Sequence, residues 1–196
     1  MNLIQIDPKL DKQFTRLKQG WVNCHNCKLH KCRTQVVFGR GQLPADVLFL
    51  GEAPGESEDL LGYAFVGKAG KILDKIIYAA FYNEPEYSYF ITNTVGCRPT
   101  YKGKNETPAE KHIDACKERV VDTILLAQPR LVVCLGKIAL SAWKKHLYKY
   151  QDKEITIPYI HLRHPAYLLR LGHTQEGTRE FDASVNKLNK AIEGLA

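Results

Sequence analysis

The 196-residue chain has no apolar run of membrane-spanning length; its best candidate, residues 124–136, is interrupted by Gln128, Pro129 and Arg130. The first thirteen residues alternate polar and apolar side chains and lack the continuous apolar core of a secretory leader. These absences predict a soluble, cytoplasmic protein with no membrane partner. No internal repeat and no low-complexity tract is present, which sets aside repeat arrays and disordered chains. Neither a Walker lysine pattern nor G-x-G-x-x-G appears, which argues against a phosphate cradle. Acidic charge is in deficit: 21 Asp and Glu stand against 28 Lys and Arg, a net +7. That excess favours an anionic partner, nucleic acid above all.

What is present reads as one α/β domain. Residues 46–50 (DVLFL), 87–95 (YSYFITNTV) and 130–135 (RLVVCL) are apolar, β-branched or aromatic runs that predict strands, and 155–162 predicts a fourth. Helical spacing of apolar residues marks 9–20, 68–81, 137–146 and 179–195. Thr107-Pro108-Ala109-Glu110 reads as a helix start with Thr107 as N-cap, running to about Ala127 before Pro129. Residues 101–106 read as a polar loop. Strands alternating with helices imply a parallel sheet covered on both faces.

Two loops carry polar groups beside Gly or Pro at strand ends, the usual way an α/β domain assembles a site from distant sequence. They are Gly51-Glu52-Ala53-Pro54-Gly55-Glu56-Ser57-Glu58-Asp59 and His164-Pro165-Ala166-Tyr167-Leu168-Leu169-Arg170.

Six cysteines in an intracellular protein point to metal or cluster ligation rather than to disulfides. Cys24 and Cys27 form a Cys-x-x-Cys pair, and Cys97 and Cys116 can complete a four-thiolate set. Such a set suits tetrahedral zinc and a four-iron cluster alike. Cys27-x4-Cys32 is an alternative chelate, Cys97 and Cys116 can equally be small core residues, and Cys134 reads as strand packing.

In five places the chain resembles the family 4 uracil-DNA glycosylases, the iron–sulfur branch of their superfamily. These are the loop 51–59, Phe65-Val66-Gly67-Lys68-Ala69-Gly70, Thr92-Asn93 with Cys97-Arg98-Pro99, the loop 164–170, and the spacing of Cys24, Cys27, Cys97 and Cys116. The resemblance implies a three-layer α/β/α fold with a central four-stranded parallel sheet. It also implies a [4Fe–4S] cluster on the four cysteines, stapling the N-terminal segment to the fold. The implied partner is uracil-containing DNA, single- or double-stranded, and the implied state a monomer.

The implied reaction is hydrolysis of the bond between a flipped-out uracil and its deoxyribose. Phe65 would stack on the base and Asn93 would read its N3–H and O4, a pattern that cytosine reverses. His164 would donate to O2 as negative charge builds on the leaving base. Glu52 would position water or stabilise the sugar cation. The amide of Ala53 would contact the base, and Glu58 would crowd out a 5-methyl group. Leu168, with Leu169 as its nearest rival, would wedge into the gap left by the base, and Arg163 and Arg170 would hold phosphates. The chain departs from the family's pattern in carrying Arg163 where an aromatic is common, in a short segment before His164, and in lacking the basic, histidine-containing insertion of variants that trap DNA covalently. Two other readings compete: a non-catalytic DNA-binding relative associated with replication, and a metal-stapled nucleotide-binding protein using the Gly51 loop. In the latter the acidic run 56–59 would repel phosphate.

Overall fold

The structure, a computed structural model, describes residues 3–82, 86–147 and 157–195. In chain order the elements are β1 (Ile4–Ile6), α1 (Asp11–Trp21), β2 (Arg40–Leu43), β3 (Val47–Gly51), α2 (Glu56–Leu61), α3 (Lys68–Ala80), β4 (Tyr89–Asn93), β5 (Thr100–Tyr101), β6 (Lys104–Asn105), α4 (Glu110–Ala127), β7 (Leu131–Leu135), α5 (Gly136–Ala142), β8 (Tyr159–Leu162), α6 (Pro165–Leu171) and α7 (Gln175–Glu193).

β3 and β7 are buried along their whole length, which is why they read as unbroken apolar runs. They form the centre of a parallel set in the order β4-β3-β7-β8, the four-stranded sheet expected. The chain passes from β3 to β4 on one side and then to β7 on the other. That reversal opens a crevice beyond the carboxyl ends of the strands.

Successive strand side chains point to opposite faces. Leu48, Leu50, Phe90, Val132 and Cys134 pack with Phe14 and Leu17 of α1 and Val120 and Ile124 of α4. Val47, Phe49, Ile91, Leu131 and Val133 pack with Leu73 and Ile76 of α3, Leu168 of α6 and Leu188 and Ile192 of α7. Helices thus cover both faces, giving three layers.

Several expectations need correction. The sheet has six strands, because β2 adds antiparallel to β4 and β1 adds parallel to β2. Neither added strand has an apolar run: β1 spans three residues and β2 reads Arg-Gly-Gln-Leu. Residues 56–59 belong to helix α2 rather than to a loop. The polar segment 101–106 contributes to the β5–β6 hairpin. α4 starts at Glu110 with Ala109 as N-cap, and the Nδ1 of His112 accepts from the Ala109 N–H at 3.2 Å. Thr107 does not cap it, because the extended residue that leads into the helix is Ala109, two positions later. The helix beginning at Gly136 gives way to a π-helical turn over Trp143–Leu147. α7 begins at Gln175, earlier than read, because the hydroxyl of Thr174 caps it by accepting from the Gly177 N–H at 3.1 Å. Residues 155–156 of the expected fourth strand lie outside the described residues. Among those described, no helix is long and apolar enough to cross a membrane.

One close approach fixes the entry to α3. A Cβ on Gly70 would stand 1.7 Å from the carbonyl oxygen of Phe65, so only glycine fits there. Gly70→Ala is expected to cost about 1–3 kcal/mol of stability through this overlap, measured by urea denaturation.

Candidate active site

The crevice beyond β3, β4 and β8 holds a cleft of about 630 Å³. Its floor is built where β3 and β4 end. Gly51 lies opposite Asn93 in the parallel register, and a Cβ on Gly51 would come within 2.3 Å of the Asn93 Oδ1 and 2.4 Å of the Phe65 ring. The missing side chain is what lets those two groups meet. Asn93 is 2% exposed, and its carboxamide oxygen is buried without any hydrogen-bond partner. A buried acceptor left unpaired costs roughly 1–3 kcal/mol, and in a cleft it marks where a ligand donor belongs.

Phe65 forms one wall. Its φ of +53° lies in the left-handed region, which non-glycine residues rarely adopt. Arg40 from β2 holds this turn by donating to the carbonyls of Ala64 at 2.8 Å and Phe65 at 3.2 Å, while pairing with Asp74 of α3. Strain kept in place by its surroundings is characteristic of functional sites. The Phe65 ring lies 5.7 Å from that of His164, tilted by 34°.

His164 N-caps α6: its Nδ1 accepts from the Ala166 N–H at 3.1 Å. The ring proton therefore sits on Nε2. Burial, with Arg170 nearby, lowers its pKa to about 4, so the imidazole is a neutral donor at physiological pH. Glu52 is pushed the other way. Burial raises its carboxyl above the usual range, partly offset by the Thr107 hydroxyl.

Glu58 also lines the cleft, with both oxygens engaged. It accepts from the Gly55 N–H at 3.1 Å and the Gly67 N–H at 2.7 Å, clamping the loop before α2 to the loop before α3. Ala53, Tyr167 and Arg170 also line the cleft from the two loops. Arg163 lies outside, paired with Glu180 at 3.3 Å and stacked 5.0 Å from the Tyr167 ring.

Leu168 needs correction as the candidate wedge. It is 4% exposed and packed in the core with α3 and α7, so it cannot reach out without unpacking α6. Leu169, one residue on, is 40% exposed.

The cysteines fall into two groups. Cys27 lies within electrostatic range of Cys24, Cys97 and Cys116, and Cys97 of Cys116. Donors face them: Arg33 to the Cys97 sulfur at 3.2 Å, and the N–H of Asn26 and of Gly96 to the Cys24 and Cys116 sulfurs, both at 3.5 Å. Burial raises the Cys97 thiol to about 11, so it loses its proton readily only when a strong cation binds the sulfur in its place. Among the described residues, no three His, Cys, Asp or Glu side chains are arranged to hold a single metal ion. Cys32 is turned to the carbonyls of Leu29 and Arg98, at 3.4 and 3.5 Å. Cys134 is buried in β7 with its thiol raised to about 12.

This geometry has known counterparts. The profile of the Uracil DNA glycosylase superfamily matches residues 38–190. The chain belongs to that superfamily. Within it, the chain is a member of the type-4 uracil-DNA glycosylase family. A type-4 uracil-DNA glycosylase of Archaeoglobus fulgidus is 30% identical over 183 residues, 86% of this chain and 88% of the relative. That of Thermotoga maritima is 35% identical over 158 residues, 75% of this chain and 78% of the relative. The crystal structure of Pedobacter heparinus SMUG2 superimposes with a TM-score of 0.54 at 17% identity, covering 78% of this chain and 76% of that one, a likeness of fold.

Two contributors to the glycosylase-family cleft escaped sequence reading. Thr107 reads locally as a helix cap, and only the fold brings its hydroxyl to Glu52. Arg119, whose guanidinium bonds the carbonyl of Asn93, stands out in sequence only as a charge among Cys116, Val120 and Thr123 on α4. For the two leucines, Leu168→Ala is expected to cost about 2–5 kcal/mol and Leu169→Ala less than about 0.5 kcal/mol, read as shifts in the denaturation midpoint.

Proposed function

We propose that the chain is a uracil-DNA glycosylase, taking uracil out of DNA into this cleft and hydrolysing its N-glycosidic bond to leave an abasic site. The observation that carries the reading is the unpartnered Oδ1 of Asn93, in the cleft that Phe65 and His164 also line. Uracil N3–H supplies the donor that this oxygen lacks, and O4 accepts from the carboxamide nitrogen. Cytosine presents an acceptor at N3 and a donor at N4, leaving both ends mismatched. Such mismatch at buried polar groups gives strong discrimination.

Phe65 stacks on the base. The Nε2–H of His164 donates to O2, and that bond strengthens as the base departs with negative charge. A neutral donor suits this role, because it stabilises developing charge without first having to lose a proton. Glu52, as carboxylate, orients the attacking water or stabilises the sugar cation, with Thr107 holding it in place. The Ala53 amide contributes a further donor. Glu58 keeps the two loops at a fixed separation and so limits space at the base's edge. Leu169 fills the gap in the stack, and Arg170 and Arg163 meet the flanking phosphates. The partner is DNA of either strand form, met by a monomer; the net charge of +7 supports a polyanion as partner.

Cys24, Cys27, Cys97 and Cys116 would hold a [4Fe–4S] cluster, which supplies a covalent staple between the N-terminal segment and the fold. The N–H donors on their sulfurs and the Arg33 guanidinium fit an anionic thiolate centre.

Uracil release from a uracil-containing oligonucleotide, in both strand forms, tests the reading. Asn93→Ala and His164→Ala are each expected to lose on the order of a hundredfold or more, and full activity in both would sink it. The rate is expected to rise with pH through the Glu52 ionisation, above the ordinary carboxylate range, and to show no limb near 6.5 from His164. For the cofactor, anaerobically purified protein is expected to be coloured and to carry iron and acid-labile sulfide in equal amounts. A colourless protein with stoichiometric zinc would contradict the cluster.

A further inference from the structure

Arg119 is 1% exposed, and no carboxylate lies within ion-pair distance of it among the described residues. A buried cation without a counter-charge is costly. One side of its guanidinium is explained: it donates to the carbonyl of Asn93 and, at 3.4 Å, to the hydroxyl of Thr92. The other side is not, because Nε has no partner.

Nε faces Gly96, where a Cβ would stand 3.0 Å from it. Gly96 in turn donates its N–H to the sulfur of Cys116 and precedes Cys97 in the chain. Cys116 and Arg119 are three residues apart on α4 and share a face. The unpaired side of the cation is thus turned toward Gly96, whose N–H meets the Cys116 sulfur, and the paired side holds the strand end carrying the base-reading carboxamide.

We propose that Arg119 is a positioning residue that joins the four-cysteine centre to Asn93. Its charge answers the thiolates, and its fork fixes the carbonyl of Asn93 and the hydroxyl of Thr92. Arg33 answers the centre from outside, at the Cys97 sulfur. Losing the centre leaves Arg119 uncompensated in the core, so the loss is felt at the cleft floor as well as at the N-terminal segment. This inference rests on the glycosylase reading and on the proposed cluster.

The test compares wild type with Arg119→Met and Arg119→Lys as cluster-loaded holoproteins of equal iron content. It measures the reduction potential of the centre and the single-turnover rate of uracil release. In Arg119→Met the potential is expected to become more negative, because a nearby positive charge is gone, and the rate to fall about tenfold, with affinity for uracil-free DNA unchanged. Arg119→Lys is expected to keep the potential near wild type and still lose rate, since an ammonium cannot reproduce the fork. An unchanged potential or an unchanged rate in Arg119→Met overturns the proposal. Should Arg119→Met not accumulate in loaded form, Arg119→Lys decides: a wild-type rate overturns it, and a lowered rate at wild-type potential supports it. A wild-type protein that releases no uracil would overturn the glycosylase reading alone, and the potentials would still decide the link.

Discussion

The cleft depends on one close contact, that of Gly51 with Asn93 and the ring of Phe65. Parallel pairing of β3 and β4 sets the two strand ends side by side, and the absent Cβ lets carboxamide and ring occupy the same small volume. The contact is held from several directions. Gly70 admits the Phe65 carbonyl into the start of α3, and Arg40 of β2 pins the same turn. Arg119 grips the carbonyl of Asn93 from α4 below. A residue with left-handed backbone and an unpaired buried oxygen are both unfavourable alone. They persist because packing around them leaves no relaxed alternative.

The ionisable groups of the cleft are tuned by burial in opposite senses. Burial keeps His164 neutral and resists ionisation of Glu52. A neutral histidine donor and a carboxylate within one cleft suit a reaction that leaves negative charge on a departing base and positive charge on a sugar. The chain carries net positive charge overall, yet acidic side chains line one wall of its cleft, among them Glu52 and Glu58. Long-range attraction for a polyanion and local repulsion of phosphate from the reacting centre are compatible, since the backbone of a flipped nucleotide stays at the rim.

Much was legible in the sequence because its signals were local. Val47–Gly51 and Leu131–Leu135 are buried on both faces and so are apolar throughout. The spacing on α3 gave its buried stripe of Leu73, Ile76, Ile77 and Ala80. Asn93, Phe65 and His164 could be proposed from motif resemblance, and the fold does bring them to one cleft. What failed was ambiguous locally. Thr107 followed by Pro108 satisfies the rules for a cap, but the backbone turns into the helix two residues later, at Ala109, and Thr107 is left to meet Glu52. Leu168 and Leu169 are adjacent apolar residues, and only the way α6 packs sends one into the core and the other to solvent.

By itself the sequence determined the alternation of strands and helices, the parallel core, and the residue types available to a site at the strand ends. Hydrophobic periodicity and motif order carry that information along the chain. Tertiary structure alone decided which groups share an environment: the two added strands β1 and β2, the unpaired oxygen of Asn93, the tautomer of His164 and the buried charge of Arg119. These depend on burial and on partners distant in sequence, and neither is written at the positions themselves.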